Sequence, residues 1–215
     1  MSKYKIPNAT VKRLPLYYRY FQFLNDSHTK KISSTKLADA VQVDSATIRR
    51  DFSYFGQLGK RGYGYEVEPM LTFFKKLLDQ DKTTKVALVG VGNLGNALLN
   101  YNFSQTNNIK IVEAFDKDPK EIGKKINGVP VYDTSEEAKQ IQDQKIEVAI
   151  LSVPSTAAQA ACDQLVESGI RGILNFTPMR LSIKDKGKNV RIHNVDLANE
   201  LQTLVYFLNN MDSKK

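Results

Sequence analysis

Hydrophobic and polar residues follow different patterns in the first 80 residues and in the rest of the chain. From residue 85 onward, short apolar runs typical of buried strands alternate with amphipathic segments typical of helices. The predicted strands are residues 85–89, 110–115, 129–132, 148–153, 172–176 and 190–195. The predicted helices are residues 94–103, 135–142, 156–168 and 196–208. This alternation predicts an α/β fold, a mainly parallel, doubly wound sheet of the Rossmann type with helices on both faces.

The first 80 residues show mainly helical spacing. Residues 13–24 place apolar side chains on one face of a helix. A short helix follows the serine pair at 33–34, and after the tight turn 42–44 a second short helix begins at Ser45. Two short helices joined by a tight turn are typical of a helix-turn-helix. Four glycines within residues 56–64 then favour a β-hairpin, so residues 1–80 are predicted to form a winged-helix domain.

Charge separates the same two parts of the chain. Residues 1–80 hold 14 Lys/Arg and 7 Asp/Glu, whereas residues 81–215 hold 17 and 16. The polar stretch 79–84 lies between them and is predicted to be the domain boundary, with the Rossmann domain at 85–195. A basic domain carried by a nearly neutral one favours nucleic acid as the partner of the basic part. The alternative is a solvated basic surface without a partner.

Composition bears on where the protein acts. Cys162 is the only cysteine, so no intramolecular disulfide can form, which fits a cytoplasmic protein. Its surroundings of small residues predict a packed thiol rather than a reactive one. No window approaches the roughly 18 apolar residues of a membrane span, and the N-terminus has no apolar stretch of the signal-peptide kind. We expect neither a membrane partner nor a metal.

A glycine loop follows the strand at 85–89. Gly90 permits a tight turn, Gly92 lets a pyrophosphate approach the backbone, and Gly95 allows the next helix to pack closely. The N–H groups at the start of that helix can bind the phosphates. Asp116 ends the second strand, 21 residues after Gly95, where a carboxylate binds the adenosine ribose and repels a 2′-phosphate. The site is therefore predicted to prefer NAD(H) over NADP(H); the alternative is a glycine turn that binds nothing.

The rest of the cofactor is expected beyond the carboxyl ends of the fourth and fifth strands, across the switch in strand order. Each of these ends has a proline and small polar groups able to meet a carboxamide, although each also fits an ordinary strand terminus. Lys117 slightly weakens the predicted preference for NAD(H). The predicted NAD(H)-binding residues are Gly90, Val91, Gly92, Asn93, Leu94, Gly95, Asp116, Lys117, Ser152, Val153, Pro154, Asn175, Phe176, Thr177 and Pro178.

The second short helix has two different faces. Ile48, Phe52 and Phe55 recur at i, i+4 and i+7 and are predicted to face the domain core. The opposite face combines small residues with arginines, which suits a helix in the major groove. The two basic residues at the hairpin tip suit phosphates or a minor groove, although a single arginine also fits a solvated surface. The predicted DNA-binding residues are Ala46, Thr47, Arg49, Arg50, Ser53, Tyr54, Lys60 and Arg61.

Over nearly its whole length the chain resembles Rex, the family of NADH-responsive transcriptional repressors of bacteria. The most specific part of the resemblance is the stretch 52–64, which a generic Rossmann enzyme has no reason to contain. Further segments that carry it are residues 12–15, 48–51, 59–65, 90–95, 98–101, 114–116, 175–178 and 195–197.

The resemblance implies a homodimer in which the C-terminal helix, here within 196–215, is exchanged between subunits. It also implies binding to a palindromic operator, with NADH releasing the DNA and NAD⁺ supporting the DNA-bound form. Three residues look like the family's switch: Arg13, Tyr101 and Asp196. Arg13 and Asp196 could pair between subunits in one state, and Asp196 also fits a helix N-cap.

The sequence is compatible with two other functions in outline. A small NAD-dependent dehydrogenase needs a catalytic acid or base near the nicotinamide, and the only histidines are His28 and His193. His28 lies in the basic N-terminal part, and His193 lies within a predicted strand, so we predict that the chain is not an enzyme. The other alternative is a regulator that binds a CoA derivative in the same fold, against which Asp116 argues.

Overall fold

The computed structural model describes residues 6–56, 58–59, 63–103, 108–184 and 189–211. The chain divides into two compact units, Met1–Lys82 and Thr83–Lys215. A search of the described helices finds none with the length and apolar character needed to cross a membrane.

The N-terminal unit is mainly helical. Its elements are α1 (Asn8–Asp26), β1 (Lys31–Ile32), α2 (Ser34–Val41), α3 (Ser45–Ser53), β2 (Tyr65–Glu66) and α4 (Val67–Leu77). The first helix is longer than its predicted range 13–24 at both ends. It packs along α4, and its fully buried side chains Tyr17 and Phe21 form the centre of the unit's core.

Side-chain caps define the two short helices. The hydroxyl of Ser33 accepts a hydrogen bond from the Lys36 N–H (3.1 Å), and Gln42, with a left-handed φ of 53°, ends α2. Asp44 then caps α3, since its carboxylate accepts hydrogen bonds from the N–H groups of Ala46 (2.8 Å) and Thr47 (3.2 Å). Such caps satisfy donors that a helix leaves without intrahelical partners. The predicted helix-turn-helix is therefore present.

The small sheet of this unit pairs two distant segments. Strand β2 runs antiparallel to β1, with Ile32 opposite Tyr65. A Cβ on Gly64 (φ +74°) would lie 2.3 Å from the Ile32 carbonyl oxygen, so only glycine permits this approach. The sequence predicted β2 as part of a hairpin but not β1, because two residues carry no periodicity. Residues 57 and 60–62 of the predicted hairpin, and with them Lys60 and Arg61, lie outside the described residues.

Aromatic rings fill the core between these elements. The ring of Phe52 on α3 lies 5.2 Å from that of Tyr17, 5.0 Å from that of Tyr65 and 5.6 Å from that of Phe74. Ring pairs at these separations stabilise a core beyond the area they bury. The prediction that Ile48 and Phe52 face inward is confirmed by their burial, and the partly buried Phe55 packs against the same core.

The C-terminal unit is a seven-stranded sheet covered by helices. Its strands are β3 (Thr84–Val89), β4 (Ile109–Asp116), β5 (Lys125–Ile126), β6 (Val129–Asp133), β7 (Val148–Leu151), β8 (Gly172–Asn175) and β9 (Arg191–Asn194). Its helices are α5 (Asn93–Asn100), α6 (Glu137–Gln144), α7 (Ser155–Glu167) and α8 (Leu197–Met211). The strand order is β5-β6-β4-β3-β7-β8-β9, and all neighbours are parallel except β5 and β6. The predicted fold class is confirmed.

Strand β3 lies at the centre of this order. It pairs with β4 on one side and β7 on the other, so the connections reverse direction there. In open α/β sheets this reversal opens a crevice at the carboxyl ends of the strands, where ligands bind. The fourth predicted strand, 148–153, ends earlier, at Leu151, because residues 152–154 leave the sheet towards this crevice.

Two details of the C-terminal unit concern residues named from the sequence. Cys162 is fully buried in the core, and burial raises the pKa of its thiol to about 11. Asp196 precedes α8, and its carboxylate accepts a hydrogen bond from the Asn199 N–H (3.0 Å). The N-cap read from the sequence is therefore present.

Candidate functional site

A cavity of about 900 Å³ opens at the carboxyl ends of β3, β4 and β7. Its volume falls within the range of pockets for cofactors and other small ligands. The residues that line it are Val89, Gly90, Val91, Gly92, Asn93, Asn96, Ala97, Phe115, Asp116, Lys117, Asp118, Glu121, Thr134, Glu137, Ser152, Val153, Pro154, Ala157, Ala160, Ala161 and Gln164.

The glycine loop between β3 and α5 forms one wall of the cavity. Gly90 has a φ of +95°, which favours glycine. A Cβ on Gly95 would lie 1.9 Å from the Gly90 carbonyl oxygen, so helix and loop pack too closely for any side chain. A Cβ on Gly92 would meet nothing within 4 Å, which leaves space beside the backbone at the start of α5. Close packing at one glycine and open space at another fit the roles predicted for them.

Asp116 closes the loop from the end of β4. Its Oδ2 accepts a hydrogen bond from the Val91 N–H (2.5 Å), and its Oδ1 accepts from the N–H groups of Lys117 (2.7 Å) and Asp118 (2.8 Å). A carboxylate has about four acceptor sites, so capacity remains for a hydroxyl of a ligand. The bond to Val91 was not predicted, and it links Asp116 directly to the glycine loop.

The charges around the cavity are mostly negative. Among the described residues, the lining holds the carboxylates of Asp116, Asp118 and Glu121, the buried Glu137 and one cation, Lys117. Negative charge raises the free energy of a bound 2′-phosphate, which favours NAD(H) over NADP(H).

The end of β7 contributes a second wall. The hydroxyl of Ser152 donates to the carbonyl oxygen of Gly90 (2.8 Å), which fastens this strand end to the glycine loop. Val153 and Pro154 also line the cavity. Leu94 and Gly95 are absent from the lining, and Gly95 is buried against the Gly90 carbonyl oxygen.

The polar side chains at the end of β8 form hydrogen bonds with neighbouring residues of the same unit. Asn175 is fully buried, and its amide donates to the Met179 carbonyl oxygen (2.8 Å) and to the Asn194 side chain (2.9 Å). The Thr177 hydroxyl donates to the Asn175 side chain (2.7 Å). Residues 175–178 are absent from the lining of this cavity, so their predicted contact with a carboxamide stays a prediction.

Helix α7 supplies lining residues that the sequence reasoning missed. Ala157, Ala160, Ala161 and Gln164 recur at i, i+3, i+4 and i+7 and present a face of mostly small side chains to the cavity. The Gln164 amide donates to the Thr134 carbonyl oxygen (2.8 Å) and joins this helix to the segment before α6. Helically spaced small residues were the available signal, although the same spacing also fits simple packing.

Glu137 is the unusual member of the lining. It is 1% exposed, and its Oε1 has no hydrogen-bond partner among the described residues. Burial raises the pKa of Glu137 to about 7, although Ser168 and Lys117 act to lower it. A buried carboxylate in this state has a high free energy when ionised. Nothing in the sequence distinguished it from other helix glutamates.

The predicted DNA-binding face of α3 is accessible. Ala46, Arg49, Arg50 and Ser53 are exposed, and no described residue forms an ion pair with either arginine. Thr47 and Tyr54 are half-buried at the edges of this face. The face therefore presents unpaired cations, which suits a polyanion.

The predicted switch residues have local partners. Arg13 is ion-paired with Asp51 of α3, with Nε 2.6 Å from Oδ2 and Nη2 2.7 Å from Oδ1. Tyr101 is exposed after α5 and lies against the ring of Phe103. The pairing of Arg13 with Asp51 was not predicted. In the part of the chain that the structure describes, no group of three or more His, Cys, Asp or Glu residues could hold a metal.

Comparison with known proteins gives matches over both units. A family described as "Putative DNA-binding protein N-terminus" matches residues 5–53, and one described as "CoA binding domain" matches residues 81–179. A crystal structure of RSP in complex with β-NAD⁺ and operator DNA matches with a TM-score of 0.88 and 37% identity, covering 98% of this chain and 95% of that one. A structure of RSP with β-NADH matches with a TM-score of 0.84 and 36% identity, covering 98% and 97%.

Curated relatives agree over the full length. The protein of Lactobacillus gasseri named "Redox-sensing transcriptional repressor Rex" is 62% identical, covering 100% of this chain and 99% of that protein. The protein of the same name in Limosilactobacillus reuteri is 57% identical, covering 98% and 97%. These names confirm the prediction of a regulator rather than a dehydrogenase. With this identity over its whole length, the chain belongs to the Rex family of redox-sensing transcriptional repressors.

Proposed function

We propose that the chain is a transcriptional repressor that binds a palindromic operator as a homodimer and leaves it when NADH binds. Residues 1–80 form the winged-helix DNA-binding domain, residues 85–195 the NAD(H)-binding domain, and residues 196–215 an exchanged helix and tail. The observation that carries the proposal is the cavity at the strand switch point, where Asp116 is bonded to the glycine loop. The bound nucleotide is then the signal and not a substrate.

NAD(H) would lie across the carboxyl ends of the strands. Its pyrophosphate would bind beside Gly92 at the start of α5, and its adenosine ribose would bind the remaining acceptor capacity of Asp116. The nicotinamide half would extend towards Ser152 and the end of β8. The fit is supported by the volume of the cavity and by its acidic lining, which disfavours NADP(H).

The DNA would be read by α3. Its exposed face, which carries Arg49 and Arg50, has the size and charge to enter a major groove, where an arginine can contact guanine O6 and N7. Thr47 and Tyr54 would contact the backbone from the edges of this face. Lys60 and Arg61 are proposed to add phosphate contacts.

The homodimer is supported by helix α8. Its apolar side chains Leu197, Leu201, Leu204, Val205 and Leu208 are 46–63% exposed in the single chain. An apolar strip of this length on a monomer marks an interaction surface. A second copy of the chain, with its own α8 exchanged, is the proposed occupant, and Arg13, Tyr101 and Asp196 form the proposed switch between the copies.

A DNA-binding titration tests the proposal. The full chain is titrated against a palindromic promoter fragment in NAD⁺, and NADH or NADPH is then added. We expect release by NADH at a concentration well below that needed of NADPH. If the DNA stays bound at saturating NADH, the protein is not a redox sensor, although it remains a DNA-binding protein.

Two variants separate the two sites. Arg50→Ala should weaken specific DNA binding by roughly 1–3 kcal/mol, the value of a lost base contact, without changing the NADH affinity. Asp116→Ala should weaken NADH binding without changing the affinity for DNA in the absence of nucleotide. Equal effects of either variant on both ligands would contradict this assignment.

A further inference from the structure

Asp51 lies on the proposed DNA-reading helix α3 but points away from its exposed face. It is 1% exposed and, with Ile48 and Phe52, belongs to the buried residues of the helix. A carboxylate in this position carries a desolvation penalty of several kcal/mol unless it is hydrogen-bonded and paired. Its partners therefore decide whether α3 can keep this orientation.

Four hydrogen bonds from α1 satisfy the carboxylate. Oδ1 accepts from the Thr10 hydroxyl (2.7 Å) and from Nη2 of Arg13 (2.7 Å). Oδ2 accepts from Nε of Arg13 (2.6 Å) and from the Tyr17 hydroxyl (2.6 Å). Burial would raise the pKa of Asp51, but these hydrogen bonds outweigh it and hold the pKa below its usual value. This set of four residues, the Asp51 network, fixes α3 on α1.

Arg13 is the only one of the three donors with an accessible side chain. It binds Asp51 with one edge, Nε and Nη2, and its side chain is 27% exposed. Nη1, at the opposite end of the guanidinium, donates no hydrogen bond to a described residue. A guanidinium has five donors in a planar fork and can hold two carboxylates at once. Arg13 can therefore donate hydrogen bonds to a second carboxylate while it stays bound to Asp51.

We infer that Asp51 is the positioning residue through which Arg13 acts on the DNA-reading helix. The inference rests on the proposed function of Arg13 as a switch between copies. When a carboxylate of the second copy, proposed to be Asp196, binds the open end of Arg13, the guanidinium bridges it to Asp51. Asp51 is part of α3, and both of its oxygens are hydrogen-bonded. A movement of the second copy would therefore move the DNA-reading helix through Arg13 and Asp51.

The test uses Asp51→Asn in the full chain. Asn keeps the size of the side chain but loses the negative charge that accepts two hydrogen bonds from one edge of the guanidinium. The operator affinity is measured in NAD⁺ and in NADH, and the NADH affinity is measured separately. We expect NADH binding to stay within about twofold of the wild type, and the ratio of the two operator affinities to fall by roughly fivefold or more, the lower end of an allosteric coupling.

Asp44→Asn is the matched control. Asp44 is also a carboxylate that supports α3, but it is exposed, caps the helix start and has no bond to Arg13. Asn is as good an N-cap as Asp, so the NADH response should be retained. An equal loss of response in both variants would mean that any loosening of α3 abolishes it, and would overturn the inference. An unchanged response in Asp51→Asn would overturn it as well.

Two milder variants cover the case in which Asp51→Asn does not fold. Tyr17→Phe removes one hydroxyl, and Arg13→Lys keeps the charge but loses the two-point contact. Both should reduce the NADH response, and combining them should reduce it by less than the product of the single effects, because they act on one network. Multiplicative effects would overturn the inference. A wild-type protein that ignores NADH would instead contradict the proposed function.

Discussion

The two units each contain a carboxylate that is 1% exposed, Asp51 in the N-terminal unit and Glu137 in the C-terminal unit. Asp51 accepts four hydrogen bonds, and its pKa lies below the usual value. Glu137 leaves one oxygen without a partner among the described residues, and burial raises its pKa to about 7. Both side chains are equally shielded from solvent, but the hydrogen bonds to Asp51 outweigh the effect of burial, whereas burial prevails at Glu137.

Asp51 and Glu137 therefore make the stability of their units depend on pH in opposite directions. The pKa of Asp51 is lower in the folded chain than in the unfolded one, so its contribution is present above the unfolded value of 3.8 and is lost as the pH falls. The pKa of Glu137 is higher in the folded chain, so its burial becomes increasingly unfavourable as the pH rises from about 4.5 through 7. Acid should weaken the first unit, and a rise in pH from about 4.5 to 7 should weaken the second.

Removing Asp51 should have the largest effect. Asp51→Ala leaves the donors of Arg13, Thr10 and Tyr17 without their acceptor, and we expect a loss of about 3 kcal/mol in the free energy of unfolding. Urea unfolding followed by tyrosine fluorescence measures it, since seven of the ten tyrosines lie in residues 1–82. Asp39→Ala, at an exposed position of α2, is the control and should change little. Equal losses in Asp51→Ala and Asp39→Ala would show that the Asp51 network does not stabilise the N-terminal unit.

Neutralising Glu137 should have an effect of similar size and opposite sign. Glu137→Gln removes the buried charge and should stabilise the C-terminal unit by about 3 kcal/mol at pH 8, since the pKa rises from 4.5 to about 7 and each pKa unit corresponds to about 1.4 kcal/mol. The gain should shrink as the pH falls towards 5. Alkylation of Cys162 as a function of urea concentration reports this unfolding. Glu136→Gln, at an exposed neighbour, should give no gain at either pH.

A single donor of the Asp51 network should contribute less. Tyr17→Phe removes only the hydroxyl that donates to Oδ2 and should cost about 2 kcal/mol, the value of a hydrogen bond to a charged group. Tyr18→Phe, whose hydroxyl accepts from the uncharged Gln22 amide (3.0 Å), should cost less. Tyrosine fluorescence in urea again measures both. A smaller loss of unfolding free energy for Tyr17→Phe than for Tyr18→Phe would mean that the Asp51 network tolerates a missing donor.

Burial of Cys162 should make its thiol unreactive in the folded chain, which can be tested without any substitution. Its thiol has a pKa raised to about 11 and no exposed surface, so too little thiolate forms for reaction. We expect iodoacetamide at pH 8 to leave the folded chain unmodified while it labels the urea-unfolded chain completely. Rapid labelling of the folded chain would place Cys162 in an open segment.

The sequence predicted most of the secondary structure because periodicity and turn chemistry are local. The start of α3 at Ser45 and the six parallel strands agree with the structure to within two residues at each boundary. The short strands β1 and β5 were missed because each has two residues and depends on a distant partner. The glycine loop was found because its spacing has a mechanism that does not require knowing the rest of the fold.

The sequence by itself determined the Rossmann architecture, the helix-turn-helix and the pair of Gly92 and Asp116, since each depends on residues close together in the chain. The tertiary structure decided which carboxylates have partners. Arg13 and Asp51 are 38 positions apart, and no pattern in the sequence joins them. Glu137 resembles any helix glutamate until its neighbours are placed around it. Burial and hydrogen bonding are properties of the packed chain. Only the tertiary structure therefore shows that Asp51 stabilises its unit and that ionised Glu137 destabilises its own.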